Sequence, residues 1–421
     1  MKPESPEGNH REGNPGNEQS KCDTSRMASL LSQIQVDRIV QNTLDLVNID
    51  SITGNTVAIS EFYQSLLEAV GCRVERHELY PGNPTLVAEF GSPGQGRKLV
   101  FNGHMDVVPL PHTLAKIENG RLYGRGSCDM KGSLAAIVEV LRVLHDNKLQ
   151  LNGQLMVIAN SLHESPGGRG EDLTELTRRF NWQADAVVVM EGATTECTVA
   201  QMGSATFRIE VVREGEPSHQ LHTPEGTPHP ITVAAEMILA LNRRNAELAE
   251  REIADIGTAS YFVGSVHSGE FYNQMPNRAV MEGVRRYGPE ERFEEIEREL
   301  SEMVKQVADR HQVDIRLAIE KVRDGYRIDR DGPAVEALIE AIREVRGAEA
   351  PKVGKKLVTD AGIFVNAWGI PALCHGPDQT SAHGETEYVE LRELEMTAQV
   401  YMTLIGKYVG WTGGDNDAAM Q

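Results

Sequence analysis

The chain is 421 residues long, which at about 100–200 residues per domain predicts two or three domains. Hydrophobic residues make up 40% and charged residues 25%, ordinary for a soluble globular protein with a real core. Lys and Arg number 42 against 62 Asp and Glu, a formal charge of −20; this argues against a nucleic-acid partner, which demands a cationic face.

Residues 1 to about 26 are Pro, Gly, Asn, Glu and Ser with almost nothing apolar, and a disordered tail is expected over 1–27. Leu30, Leu31, Ile34, Val36, Val40, Leu44 and Val47 then recur at near-helical spacing. A second helix is expected over Val57–Val70, followed by strands at Cys72–Leu79 and Thr85–Glu89. Lys98-Leu-Val-Phe-Asn-Gly-His104-Met-Asp106 is an apolar run that ends in polar residues. After a Gly-rich turn come a helix at Lys131–Asp146 and two nearly all-apolar strands, Gln154–Ala159 and Ala184–Met190. Such strands alternating with helices predict an α/β sheet covered on both faces.

The pattern changes after about Gln201. Strand-like Thr206–Val212, helical Ile231–Asn245, strand-like Thr258–Ser265 and Ala279–Arg285, the charged helix Arg292–His311 and strand Val313–Ile319 follow. This β-α-β-β-α-β order is the ferredoxin-like split unit. The chain then returns to helix at Pro333–Val345, a Gly/His-rich segment, a last helix at Leu391–Tyr408 and a polar tail over 413–421. The expected architecture is a mixed sheet flanked by helices, formed by 28–200 and 320–412, with an α+β domain inserted at 201–319.

No stretch approaches the roughly 18–20 apolar residues of a membrane span, and the first thirty residues lack the apolar core of a signal peptide. Cys22, Cys72, Cys128, Cys197 and Cys374 are scattered, odd in number and without CxxC spacing. A disulfide framework and a thiolate zinc site are therefore not expected, and a reducing cytoplasm, with no membrane partner, is.

Polar clusters lie at the ends of apolar strands, where open α/β sheets form their ligand crevices. They are His104-Met-Asp106; Gly124-Arg-Gly-Ser-Cys-Asp129-Met-Lys-Gly132; His163-Glu164-Ser-Pro-Gly-Gly-Arg-Gly170; Glu191 after Ala186–Met190; and a late group of His375, His383, Glu385 and Glu387. Taken singly, a carboxylate after a strand is more often a helix cap or a solvated turn, and a lone histidine is more often structural. The order His, Asp, Glu, Glu, His changes that reading, because carboxylate oxygens with imidazole nitrogens suit zinc or a similar divalent ion. Three carboxylates and two imidazoles exceed the needs of one tetrahedral ion and fit two ions sharing a bridging carboxylate.

On these residues the sequence resembles the di-zinc metallopeptidases and deacylases that include acetylornithine deacetylase, succinyl-diaminopimelate desuccinylase, aminoacylase and glutamate carboxypeptidase. The resemblance covers about Val36 to Val409. Its motifs are Gly103-His104-Met-Asp106, Tyr123 to Gly132, Gly226 and Ile231 after Ser218-His219, Asn273-Gln-Met-Pro276, Thr359-Asp360-Ala361 and Ala382-His383 to Glu387-Tyr-Val389. It implies two Zn²⁺ per subunit, with Co²⁺ or Mn²⁺ as substitutes. His104 and Glu191 would complete one site, Glu164 and His383 the other, and Asp129 would bridge them, with Asp106 orienting His104. It also implies a homodimer through the inserted lid domain, with His219 and Asn273 contacting substrate or the developing oxyanion. Arg286 matches an arginine that pairs with a substrate carboxylate, for which a guanidinium fork is suited.

One position departs from the family. Adjacent glutamates are usual at the third cluster, the first the general base and the second a ligand, whereas this chain reads His163-Glu164. Counting from the preceding strand puts His163 in the base position; counting back from Gly167-Gly168 makes Glu164 the base. A neutral imidazole does general-base work, but beside two dications its protonated form is disfavoured. His163 is thus open as base, ligand or substrate contact.

The leading functional expectation is a metal-dependent amidohydrolase cleaving an N-acyl amino acid or short peptide with a free carboxylate, by water activated between two zinc ions. The alternatives are the same metal scaffold running acyl transfer, amide formation or elimination because of His163, and a non-catalytic protein binding a peptide or amino-acid derivative. A Ser or Cys hydrolase is weaker still: Cys128 adjoins Asp129, but no Gly-x-Ser-x-Gly elbow is present.

Overall fold

The computed structural model describes residues 25–92, 96–164 and 166–412. The tails expected at 1–27 and 413–421 therefore lie outside the described residues, except 25–27, which belong to a helical stretch over 25–31. In chain order, helices α1 (Val36–Asn48) and α2 (Val57–Ala69) precede strands β1 (Arg73–Tyr80), β2 (Asn83–Phe90) and β3 (Lys98–His104). Helix α3 (Gly132–Asp146), β4 (Gln154–Asn160), α4 (Glu171–Arg179) and β5 (Ala186–Val189) follow. The inserted unit contains β6 (Gly203–Val212), α5 (Pro230–Ala249), β7 (Ser260–Ser268), β8 (Arg278–Tyr287), α6 (Phe293–His311) and β9 (Asp314–Arg323). Helices α7 (Pro333–Arg346) and α8 (Ala361–Trp368), strand β10 (Ala372–Cys374) and helix α9 (Leu391–Tyr408) close the described chain.

The first sheet is six-stranded, in the order β1-β2-β4-β3-β5-β10. It is antiparallel from β1 to β4 and parallel from β4 to β10. Every residue of β4 and β5 is buried, which is why these strands read as unbroken apolar runs rather than as alternation. The second sheet, β7-β8-β6-β9, is antiparallel throughout. Helix α6 lays Ile296, Leu300, Val304 and Val307 on the core and turns its charged residues outward. The fold is therefore a mixed α/β unit with a ferredoxin-like α+β insertion. Apolar residues of the two units form separate clusters, one running from Leu30 to Val199 and resuming at Tyr326, the other from Phe207 to Val307.

Parallel alignment fixes where the site lies. His104 pairs with Asn160 and Asn102 with Val189, so the polar residues after β3, β4 and β5 emerge at one carboxyl edge. Gly103 lets a neighbouring loop approach: a Cβ there would sit 2.6 Å from the Met130 Cε and 2.9 Å from a Leu134 methyl. That contact presses the loop bearing Asp129 against the end of β3.

Candidate metal centre

His104 is 1% exposed at the tip of β3. Its Nδ1 lies 3.0 Å from the backbone oxygen of Asp106, which accepts the ring proton and leaves Nε2 to face the cleft. Nε2 is 3.2 Å from Oδ1 of Asp129 and 3.9 Å from Oε2 of Glu191. Asp129 follows a Gly126 in left-handed conformation, at the head of α3, and the Asp129–Met130 peptide bond is cis. Its Oδ2 is 3.3 Å from Nε2 of His383, and that nitrogen is 3.0 Å from Oε1 of Glu164. Residues from five separate segments thus converge, with Asp129 between His104 and His383.

The Asp106 carboxylate has partners besides His104. It is 3.6 Å from the His104 ring, and its closer partners are the Thr53 hydroxyl (2.7 Å) and the backbone N–H groups of His163 (3.1 Å) and Glu164 (2.9 Å). The backbone oxygen of Asp106 makes the shorter contact to His104, and the carboxylate also fixes the turn carrying His163 and Glu164.

That turn sets the directions of the two side chains. Glu164 points toward Asp129 and His383, whereas the His163 ring stacks on His104 with centroids 4.1 Å apart and planes 4° apart. Nδ1 of His163 is 2.9 Å from Oδ2 of Asp360. Asp360 in turn receives Nε and Nη2 of Arg323 on Oδ1 (3.2 and 2.8 Å) and Nδ2 of Asn160 on Oδ2 (2.9 Å). Gln379 reaches the cluster as well, its Nε2 3.0 Å from Oδ1 of Asp129.

Charge balance explains the proton affinities. Burial opposes a charge on Asp129, but hydrogen bonds from His104 and His383 hold its carboxyl below the usual carboxylate range. Contact with Asp129 and Glu164 lifts His383 to about 10. Burial disfavours the His163 cation, yet Asp360 outweighs it and lifts the ring to about 9. Burial raises Glu191 to about 7, and its Oε1 is buried without a partner. A pocket that lifts its imidazoles and leaves a buried carboxylate oxygen unpartnered is short of positive charge, and this donor set fits divalent cations. His104, Asp129 and Glu164 offer ligand atoms within 4.8 Å of one another, as do His104, His163 and Glu191.

The lid residues are not drawn into the cluster. His219 and Asn273 contact each other, Nε2 to Nδ2 at 3.3 Å, and His219 is exposed. Arg286 lies on β8 between Ser204 and Ser260, half-buried, with Nη1 unpartnered. Cys128 is buried, with its thiol pushed up by burial and then by Glu387, the opposite of the environment that activates a thiolate. Of Thr53, Asn160, Arg323, Asp360 and Gln379, which also line this cluster, only Asp360 carries a sequence signal, as part of Thr359-Asp360-Ala361.

A model of peptidase family M20/M25/M40 matches residues 100–407. The chain belongs to this family. Its members are metal-dependent hydrolases of amide bonds, so the chain is an enzyme of the metallopeptidase and amidohydrolase class. Among curated relatives, an N-formyl-4-amino-5-aminomethyl-2-methylpyrimidine deformylase of Halalkalibacterium halodurans is 27% identical over 396 residues, 83% of this chain and 89% of the relative. A succinyl-diaminopimelate desuccinylase of Alkalilimnicola ehrlichii is 28% identical over 335 residues, covering 75% and 85%. Two solved structures share the fold. A Staphylococcus aureus tripeptidase has a TM-score of 0.74 at 22% identity, covering 89% of this chain and 98% of that one. Human carnosine dipeptidase 1 has a TM-score of 0.72 at 15% identity, covering 91% and 98%.

Proposed function

We propose that this M20 protein is a di-zinc amidohydrolase that removes the acyl group from an N-acyl amino acid, or cleaves a short peptide with a free carboxylate. The observation that carries this reading is the convergence of His104, Asp129, Glu164, Glu191 and His383 at the carboxyl edge of the first sheet. His104, Asp129 and Glu191 would hold one ion, and Asp129, Glu164 and His383 the other. When bound, such ions act as Lewis acids on the scissile carbonyl and make water acidic enough to attack at neutral pH. His163, beside this group, is assigned to receive the proton of the attacking water. Asp106 fixes the turn that presents His163 and Glu164. His219, Asn273 and Arg286 are assigned to substrate, with the planar guanidinium of Arg286 suited to its carboxylate.

The metal-holding unit is taken as 28–200 and 320–412, and the lid as 201–319, with β9 running on to Arg323. A homodimer through the lid is supported by its exposed apolar side chains, Phe262 (66%), Phe271 (58%), Tyr272 (90%) and Leu239 (56%). A cytoplasmic site of action is supported by Cys72, Cys128, Cys197 and Cys374, all free and buried. Among the described residues no helix is long and apolar enough to cross a membrane.

The test is a panel of N-acetyl, N-formyl and N-succinyl amino acids and dipeptides, assayed before and after chelation and after restoring Zn²⁺, Co²⁺ or Mn²⁺. Amide cleavage lost on chelation and restored by metal is expected. Full cleavage in a strong chelator would overturn the reading. A second reading, acyl transfer or elimination on the same metal scaffold, is favoured by the imidazole of His163 where the family has a carboxylate. Condensed product from acyl donors and amines in the same panel would decide for it.

A further inference from the structure

Two contacts of the Asp129 carboxylate are with residues assigned to the same ions. Oδ1 is 3.2 Å from Nε2 of His104, and Oδ2 is 3.3 Å from Nε2 of His383. An ion shared by an imidazole and a carboxylate oxygen takes the place of the direct contact between them. A third contact is of another kind: Nε2 of Gln379 donates to Oδ1 at 3.0 Å. Among the described residues, Gln379 is the only hydrogen-bond donor to this carboxylate that is not itself an assigned ligand.

Gln379 is built into the wall of the first ion's site. The segment before it is tied to the segment around the ligand Glu191. The His375 N–H donates to the Val189 carbonyl (3.0 Å), the Gly376 N–H to that of Gly192 (2.7 Å), and the Thr194 hydroxyl to that of Gly376 (3.1 Å). Gly192, at φ +55°, leaves room for the amide, since a Cβ there would sit 3.2 Å from Oε1 of Gln379. The amide therefore lies between Asp129 and the residue that follows Glu191. A carboxamide also suits the place: it donates without setting a like charge beside two dications, as lysine or arginine would.

We propose that Gln379 is a positioning residue for the bridging carboxylate: its amide holds Oδ1 of Asp129 for the first ion, that of His104 and Glu191, and so strengthens that site more than the second. The inference rests on the assignment of two ions given above. Oδ1 is the oxygen on the His104 side and Oδ2 the one on the His383 side, so loss of the donor is felt first at Oδ1. Groups that orient a ligand in this way are worth about 10–100-fold in metal affinity.

The test compares the two ions in chains that hold one each. His383→Ala removes a ligand of the second ion and His104→Ala one of the first, and the zinc affinity of the full chain is measured by competition with a chromogenic chelator. Adding Gln379→Leu is expected to weaken zinc about 10–100-fold in His383→Ala and less than about threefold in His104→Ala. General damage to the fold would weaken both. Equal losses, a larger loss in His104→Ala, or no loss in either overturns the proposal. Gln379→Met, which also lacks the donor, replaces the leucine variant if that does not fold by circular dichroism. If a single-ion chain holds no zinc, the two-ion chain decides: Gln379→Leu is expected to keep one ion per chain after dialysis that leaves two on wild type, and two or none overturns the proposal. Wild type without zinc overturns the metal assignment and the role of Gln379 with it, whereas zinc-loaded wild type matched by Gln379→Leu overturns the role of Gln379 alone.

Discussion

The rings of His104 and His163 lie face to face, 4.1 Å between centroids and 4° between planes. A ring nitrogen binds an ion in the plane of its ring, at about 2.0–2.1 Å for zinc. Two parallel stacked rings cannot both aim at one ion, because an ion in the plane of one is out of bonding reach of the other. The stacking therefore argues against His163 sharing an ion with His104, although its nitrogen is close to His104 and Glu191. His163→Ala is expected to keep its zinc after dialysis, while His104→Ala loses at least one ion per chain. Elemental analysis checks this, and equal loss from both variants would place His163 among the ligands.

Asp106 is a sensitive point because its carboxylate receives Thr53 and two consecutive backbone N–H groups. All three donate to Oδ2, so in Asp106→Asn an amide oxygen in that place keeps them. The NH₂ then takes the place of Oδ1, 3.2 Å from the backbone nitrogen of His163 and 3.6 Å from Nδ1 of His104. Donor faces donor in a buried site, at a cost of about 1–3 kcal/mol. The turn holding Glu164 then loosens, and zinc affinity is expected to fall about 10–100-fold, as for other groups that orient ligands. Competition with a chromogenic chelator measures it. Unchanged affinity in a folded Asp106→Asn would mean that the turn is held by something else.

Periodicity carried most of the fold. The β-α-β-β-α-β insertion, the buried strands β3 to β5 and helix α9 all have local signatures, and Leu391–Tyr408 was bounded to the residue. Helix α4 has no such signature, because Glu171–Arg179 contains only Leu173 and Leu176 as apolar residues. The three-stranded pairing of Cys197–Gln201 with Lys352–Lys355 and Tyr326–Arg327 was missed because β-pairing between distant segments leaves no local pattern. The same holds at the site. Residues that end apolar strands could be picked out one by one, but that Asp360 meets His163, or that Gln379 meets Asp129, is a fact of tertiary packing.

Asp172 supplies a pH dependence of stability independent of the ions. It is fully buried at the start of α4; its Oδ2 accepts the backbone N–H of Ser161 (2.7 Å) and the Thr85 hydroxyl (2.8 Å), and Oδ1 has no partner. Burial lifts its carboxyl to about 6 despite those bonds. A carboxyl raised on folding contributes stability that is complete below about pH 4 and is lost as pH rises through about 6. The change is about 3 kcal/mol. Asp172→Asn stays neutral throughout. In urea unfolding it is expected to gain about 2–3 kcal/mol on wild type between pH 4.5 and 8, and a constant difference would show that Asp172 is already ionised in the folded acid state.

The two halves of the metal site are tied together by one buried ion pair. Arg125 Nη1 meets Glu387 Oε2 at 2.7 Å, with the two side chains 4% and 1% exposed. Glu387 Oε1 accepts from the backbone of Cys128 (3.2 Å) and Asp129 (3.3 Å), and Arg125 Nη2 donates to the Gly384 carbonyl at 2.9 Å. The pair therefore links the loop of Asp129 to the segment of His383, two residues assigned above to the second ion. Removing one partner strands a buried charge, so Glu387→Ala is expected to cost about 3–5 kcal/mol. Replacing both, as Arg125→Met with Glu387→Leu, removes the stranded charge and should recover most of that stability. It does not restore the acceptor for the Asp129 backbone, so zinc affinity should stay about 10–100-fold low in the double variant even where the fold has recovered. Thermal unfolding and chelator competition on the same samples separate the two effects. Recovery of both together would mean that the pair serves the fold alone.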